Sequence, residues 1–129
     1  MIGYVTLGTN DLDQGAKFYD DLFTEIGAKR FMEVEGHFIA WAVKPEAPSV
    51  AITKPFDGNM ASVGNGTMVA LALNNPEQVN SFHKKALQLG ATDEGAPGPR
   101  GGGAFYAAYF RDLDGNKLNC FCMVKKEEK

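Results

Sequence analysis

Two hydrophobic spacings alternate along the chain, and the alternation occurs twice. Short apolar runs at 5–9 and 69–73 read as strands. Each gives way to helical spacing. Leu12, Ala16, Tyr19, Phe23 and Ile26 form a stripe from a start near Asp11, and Gly27 ends it. Val79, Phe82, Ala86 and Leu89 form the second stripe, ended by Gly90. There Asn75 is a good N-cap, Pro76 suits the first helical position, and Gln78 stands at capping-box spacing. Three strand-like segments then follow each helix, at 29–34, 38–43 and 49–53 and again at 91–93, 105–111 and 117–124.

The two halves also match residue by residue. With Tyr4 laid on Met68, Val5 meets Val69, Leu7 meets Leu71, Asn10 meets Asn74, Gln14 meets Gln78 and Phe18 meets Phe82. After a one-residue gap Gly27-Ala28 meets Gly90-Ala91, and GHFIAWAVK at Gly36 resembles GAFYAAYFR at Gly103. An ordered match of this kind marks a duplicated unit. The order β-α-β-β-β, twice, predicts an α+β fold with a mixed, largely antiparallel sheet. One domain over 1–129 is expected: module one about 1–57, a Gly- and Asn-rich linker about 58–66, module two about 67–124 and a solvated tail 125–129.

The stretch RDLDGNKLNCF, from Arg111, has the acids of a metal loop. An EF-hand loop needs a third acid and a glutamate six residues after the glycine, and Phe121 stands there instead. Between two strand-like segments, Asp112 to Asn116 reads as a hairpin turn with Gly115 in the left-handed region.

Composition narrows the partners. The chain has 129 residues and a net charge of −3, with a pI near 5.3. Nucleic acid as main partner is not expected, because phosphate binding needs clustered Lys and Arg and the only such pair, Lys125 and Lys126, lies in the tail VKKEEK. No apolar run approaches the roughly 20 residues that span a bilayer, and MIGYVTLG lacks the basic start and cleavage site of a signal peptide. A cytoplasmic protein without membrane partners is expected. Cys120 and Cys122, two apart on one strand, are badly placed for a mutual disulfide and read as reduced core thiols.

Neither histidine has a visible partner, and His37 and His83 read as structural. The glycine-rich DEGAPGPRGGG, residues 93–103, does not lead from a strand into a helix, which argues against a phosphate loop. It reads as a long loop, a candidate mobile lid with Arg100 at its middle.

The twofold repeat, the opening YVTLGTNDLDQGAKFY, the GNGTMVAL start of the second unit and FRDLDGNKLNCF near the end resemble the vicinal oxygen chelate superfamily. That group includes glyoxalase I, extradiol dioxygenases, and the fosfomycin and bleomycin resistance proteins. Leu113 stands where the family turn usually has proline. The resemblance implies that the strands curl into a cup around one site, with the helices outside, and that the protein pairs as a homodimer. Metal-using relatives hold a divalent ion through His, Gln or Glu at four positions, which fall here on Tyr4, Ala51, Met68 and Asn119. Ala51 cannot coordinate, Met68 is a soft thioether, Tyr4 would need its phenol deprotonated, and Asn119 offers a neutral carbonyl. No metal or other cofactor is therefore expected.

Pairing Arg111 with Lys117 across the turn puts Tyr109 opposite Asn119 and Ala107 opposite Phe121. Phe105, Ala107, Tyr109, Asn119 and Phe121 then share one face and the cysteines the other. Tyr4, Thr6, Met68 and Ala70 line the corresponding face of the first strands. Such an aromatic and apolar lining either holds a small or flat organic molecule, with Tyr4, Thr6, Met68, Tyr109, Asn119, Phe121 and Arg100 as contacts, or simply fills the core. Besides a partner-binding module with no ligand, two functions stay open. One is a metal-free binding protein for a small organic molecule. The other is a lyase or isomerase of the glyoxalase I type, with a rearranged metal site or with Tyr4 or Tyr109 as acid.

Overall fold

The structure, a computed structural model, describes residues 1–124; the tail expected at 125–129 lies outside the described residues. The strands are β1 (Tyr4–Gly8), β2 (Lys29–Val34), β3 (Phe38–Ala42), β4 (Ser49–Thr53), β5 (Val69–Ala72), β6 (Thr92–Arg100), β7 (Phe105–Arg111) and β8 (Lys117–Met123). Helix α1 (Leu12–Phe23) follows β1, and α2 (Pro76–Gln88) follows β5. The α+β class and the tandem β-α-β-β-β order are those the sequence predicts. No helix among the described residues is long and apolar enough to cross a membrane.

Two compact units form. The first comprises Met1–Asn65 with Leu113–Asn116, and the second Gly66–Asp112 with the strand that begins at Lys117. Each holds a four-stranded mixed sheet of the same topology, β1-β4-β3-β2 in one and β5-β8-β7-β6 in the other. The first and last strands of each module run parallel, Tyr4 beside Ser49 and Val69 beside Leu118, and the remaining pairs are antiparallel. A helix between parallel strands must cross one face of the sheet, so in each unit the helix covers one face and leaves the other free of helix.

In the first unit α1 starts because Asp11 accepts a hydrogen bond from the Gln14 N–H. It ends in a 3₁₀ turn, Thr24–Ile26, closed by Gly27 at φ +71°. The helix buries Phe18 and Leu22 as well as the expected Leu12, Ala16, Tyr19 and Phe23, because a sheet covers a wider face than a narrow stripe. Tyr19 and Phe23 pack on Trp41, with ring centroids 5.5 and 5.9 Å away.

In the second unit Asn75 caps α2 by accepting from the Gln78 N–H, and Pro76 opens the helix. Val79, Phe82 and Ala86 are fully buried. Cys120 and Cys122 are free and buried, and the Cys120 thiol lies 3.9 Å from the Val79 carbonyl, so the thiols face the helix as expected. His83 does have partners, contrary to expectation. It is buried, and its Nε2 lies 3.1 Å from Asp93 Oδ1 and 3.2 Å from the Tyr109 carbonyl. Both partners are acceptors, so Nε2 carries the proton and the ring ties α2 to β6 and β7.

The glycine-rich stretch differs from its sequence reading. The strand expected at 91–93 runs on to Arg100, so the stretch up to Arg100 is strand and not the long loop expected there. Proline and glycine argue against a central strand, but β6 is an edge strand, where a missing N–H costs no ladder bond. Register shifts at Asp93/Gly95 and Gly95/Gly98 absorb the irregularity.

Candidate functional site

The residues picked from sequence lie on the free faces of the two sheets. In the first unit Tyr4 and Thr6 point away from α1, and both are exposed. Tyr4 stands edge-on to Phe38, with centroids 6.5 Å apart. Next to Thr6 in the sheet is Ala51, fully buried, and beyond it Ala40. These small side chains make a low floor. A groove of about 650 Å³ opens above β1, with Tyr4, Thr6, His37, Thr53 and Lys54 among its lining residues, and segment 55–62 forms its far wall.

Two contacts fix that wall. The Asn10 side chain grips the Ala61 backbone from both sides, Oδ1 accepting from its N–H at 2.7 Å and Nδ2 donating to its carbonyl at 3.2 Å. Gly8 permits the close approach, because a Cβ there would fall 2.9 Å from the Ala61 Cβ. The turn at Asp114 braces the same corner. Asp114 Oδ1 accepts from the Asn10 N–H at 2.9 Å, and Asn116 Nδ2 donates to the Gly8 carbonyl at 2.9 Å. The stretch RDLDGN is thus a turn, as expected, and its polar side chains also hold the strand-to-helix corner of β1. The repeat pattern gave no sign of that second role.

His37, read from sequence as structural, lines the groove and is exposed. Its backbone carbonyl accepts from the Lys54 N–H at 2.9 Å, which sets the position of the turn that carries it. The only sequence signal was its place beside Gly36, whose φ of +72° makes the preceding turn.

In the second unit the expected register holds at each pair. Arg111 lies opposite Lys117, Tyr109 opposite Asn119 and Ala107 opposite Phe121. Phe105 and Phe121 stack at 5.2 Å with planes 23° apart. Tyr109 has a cation on its ring from each neighbouring strand, Arg100 Cζ and Lys117 Nζ each 5.6 Å from the centroid. Arg100 also donates to the carbonyls of Gly98 at 2.8 Å and Ala96 at 2.7 Å. Asn119 is buried at 1% exposure, and its Oδ1 has no hydrogen-bond partner. A buried acceptor left unpaired costs on the order of 1–3 kcal/mol. Met68, just before β5, is exposed. Tyr4 and Thr6 therefore share the groove of the first unit, and Tyr109, Asn119, Phe121 and Arg100 share the free face of the second.

The four metal positions implied by the resemblance do not suit a divalent ion. Ala51 has no donor atom, Met68 supplies sulfur, Asn119 an amide and Tyr4 a phenol, in place of the imidazole and carboxylate groups such an ion prefers. Among the described residues no three His, Cys, Asp or Glu side chains come together as a metal cluster.

Comparison with known proteins places this architecture. The family model of the glyoxalase/bleomycin resistance protein/dioxygenase superfamily matches residues 1–120, and the chain belongs to that superfamily. Among solved structures, a glyoxalase/bleomycin resistance protein from Albidiferax ferrireducens T118 is similar, with 34% identity and a TM-score of 0.86, over 96% of this chain and 99% of that one. A glyoxalase/bleomycin resistance protein/dioxygenase family enzyme from Burkholderia phytofirmans PsJN shares the fold at 16% identity and a TM-score of 0.74, over 95% and 98% of the two chains. Lactoylglutathione lyase from Agrobacterium tumefaciens does so at 19% identity and a TM-score of 0.70, over 95% and 92%. A search of curated proteins finds no match.

Proposed function

We infer that this protein binds a small organic molecule without the divalent metal used by other members of its superfamily. The observation that carries this reading is the groove of about 650 Å³ over β1. Its volume lies in the range of small-molecule sites, and its lining mixes an aromatic ring, a hydroxyl, an imidazole and an ammonium. The exposed Tyr4 ring offers a stacking surface, and Thr6 and His37 offer hydrogen bonds. The donor set at the four metal positions supports a site that works by stacking and hydrogen bonding.

The test is a thermal-shift and calorimetric screen of small aromatic and polar compounds against native protein and Thr6→Trp. Thr6 is exposed on the free face, so the indole fills the groove while the helix-facing core stays as it was. Hits that bind native protein and lose at least tenfold in affinity to the variant are expected. Hits with equal affinity for both would move the site elsewhere, and no hits at all would count against the reading. Elemental analysis after incubation with Zn, Ni, Mn or Fe(II) and desalting addresses the metal. Retention of about one ion per chain would overturn the metal-free reading and restore a glyoxalase I type lyase.

A further inference from the structure

We propose that the free face of the β5–β8–β7–β6 sheet binds a planar organic carboxylate that also carries a hydrogen-bond donor. This names a ligand class and a second surface, and it rests on the reading of the protein as a small-molecule binder.

Three features of one face define the class. The first is charge. Arg100 and Lys117 reach the same Tyr109 ring from β6 and β8, each 5.6 Å from its centroid. Neither forms an ion pair among the described residues, whereas the neighbouring Arg111 is matched by Glu94 at 2.7 Å and Asp93 is engaged by His83. The guanidinium of Arg100 is aligned by backbone carbonyls, which orient it without neutralising it. Two uncompensated cations beside one ring, the guanidinium among them aligned, attract an anion, and a guanidinium favours a planar one. In a chain whose net charge is −3, this local excess of positive charge stands out.

The second feature is the unpaired acceptor. Asn119 lies directly opposite Tyr109 in the sheet, and its Oδ1 is the one buried side-chain oxygen or nitrogen among the described residues with no partner. A carboxylate alone cannot satisfy it. A hydroxyl or N–H on the same ligand can. The third feature is the stacked pair Phe105 and Phe121, half-buried on the same face, which suits a flat ring.

The experiment is isothermal titration calorimetry of the full chain with 4-hydroxybenzoate, benzoate and the neutral 4-hydroxybenzamide, at low and raised ionic strength. The hydroxy acid is expected to bind best, at least about tenfold tighter than the amide, with affinity falling as salt rises. Lys117→Gln is the primary variant, because the ammonium makes no hydrogen bond or ion pair among the described residues and the change removes only its contact with the Tyr109 ring. It is expected to weaken the acid about tenfold and leave the amide unchanged. Asn119→Leu should abolish the advantage of hydroxybenzoate over benzoate. Equal binding of acid and amide, or indifference to Lys117→Gln, would overturn the proposal. So would no binding of the acid, while Thr6→Trp and the compound screen would still decide the groove of the first unit on their own.

Discussion

The indole of Trp41 donates a hydrogen bond to Asp20 Oδ1 at 2.9 Å, joining β3 to α1 at the edge of the first unit's core. Arg30 grips the same carboxylate with Nε at 2.8 Å and Nη2 at 2.6 Å, and its guanidinium lies 6.0 Å from the indole centroid. One carboxylate thus serves a buried donor and a half-exposed cation. The Arg30 hydrogen bonds, more than the opposing effect of burial, hold Asp20 below the ordinary carboxylate range, and Trp41 adds to them.

That arrangement predicts an acid-sensitive first unit. A carboxylate with a depressed folded-state pKa contributes stability that is present above its unfolded value, about 3.9, and is lost as pH falls through the lower folded value. Replacing Asp20 with Ala leaves the nearly buried indole N–H without an acceptor and should cost about 1–3 kcal/mol at neutral pH. Asp20→Asn keeps an acceptor for Trp41 and loses the charge, so its cost should be smaller and its acid sensitivity reduced. Trp41 is the only tryptophan in the chain, so its fluorescence reports these changes directly. Denaturant melts of the three proteins at neutral and acid pH check the order. If the native protein and Asp20→Asn lose stability equally between pH 5 and pH 3, the assignment to this carboxylate fails.

The two thiols should be inert in the native state. Burial pushes the Cys120 thiol up to about 12, so almost none of it is thiolate at neutral pH. Cys122 is raised as well, again chiefly by burial. Titration with a disulfide reagent should find neither group in folded protein and both after denaturation. Rapid labelling of either thiol without unfolding would show that the α2 face of the sheet opens.

Much of the fold was legible because it rests on local rules. The helix start near Asp11, the cap at Asn75 and the register from Arg111/Lys117 to Ala107/Phe121 follow from residue type and from the two-residue period of a strand. What escaped was set by neighbours distant in sequence. Strand β6 pairs with β7 from Thr92 to Arg100, across two register shifts, despite Gly95, Pro97, Gly98 and Pro99, because an edge position excuses them. His83 looked solitary because Asp93 and the Tyr109 carbonyl reach it only through the folded sheet. Strand parity alone put the candidate side chains on the helix-free faces, while the groove over β1 with His37 and the cationic ring cluster on β7 with Lys117 were not legible. Lys117 was read only as a register partner, and nothing in its sequence position set it on the Tyr109 ring.

The turn after β7 yields a backbone prediction. Gly115 sits at φ +89°, and a Cβ there would meet Val63 Cγ1 at 3.4 Å. Gly115→Ala should destabilise by about 1–2 kcal/mol from backbone strain alone. Asp114→Ala keeps the backbone and removes the acceptor for the Asn10 N–H, at a cost of about 1 kcal/mol. The discriminating measurement is proteolytic sensitivity around Ala61, whose backbone is held by Asn10. Both variants should increase it. A variant that melts earlier with no change there would separate the turn from the strand-to-helix corner it is argued to brace.

The clip at His83 yields the last prediction, which concerns the second unit. The Nε2–H group serves both Asp93 and the Tyr109 carbonyl, while the Gly95 N–H and His83 together hold Asp93 below the ordinary carboxylate range. Phenylalanine fills a similar volume but cannot donate, so His83→Phe leaves the apolar face of α2 packed and removes only the hydrogen bonds. A loss of about 1–2 kcal/mol is expected, read as a lower denaturation midpoint at unchanged slope. Asp93→Asn should cost less, because an amide oxygen still accepts from both Gly95 and His83. If His83→Phe were neutral or stabilising, packing rather than hydrogen bonding would account for the burial of His83, and the ring would have no part in fastening α2 to β6 and β7.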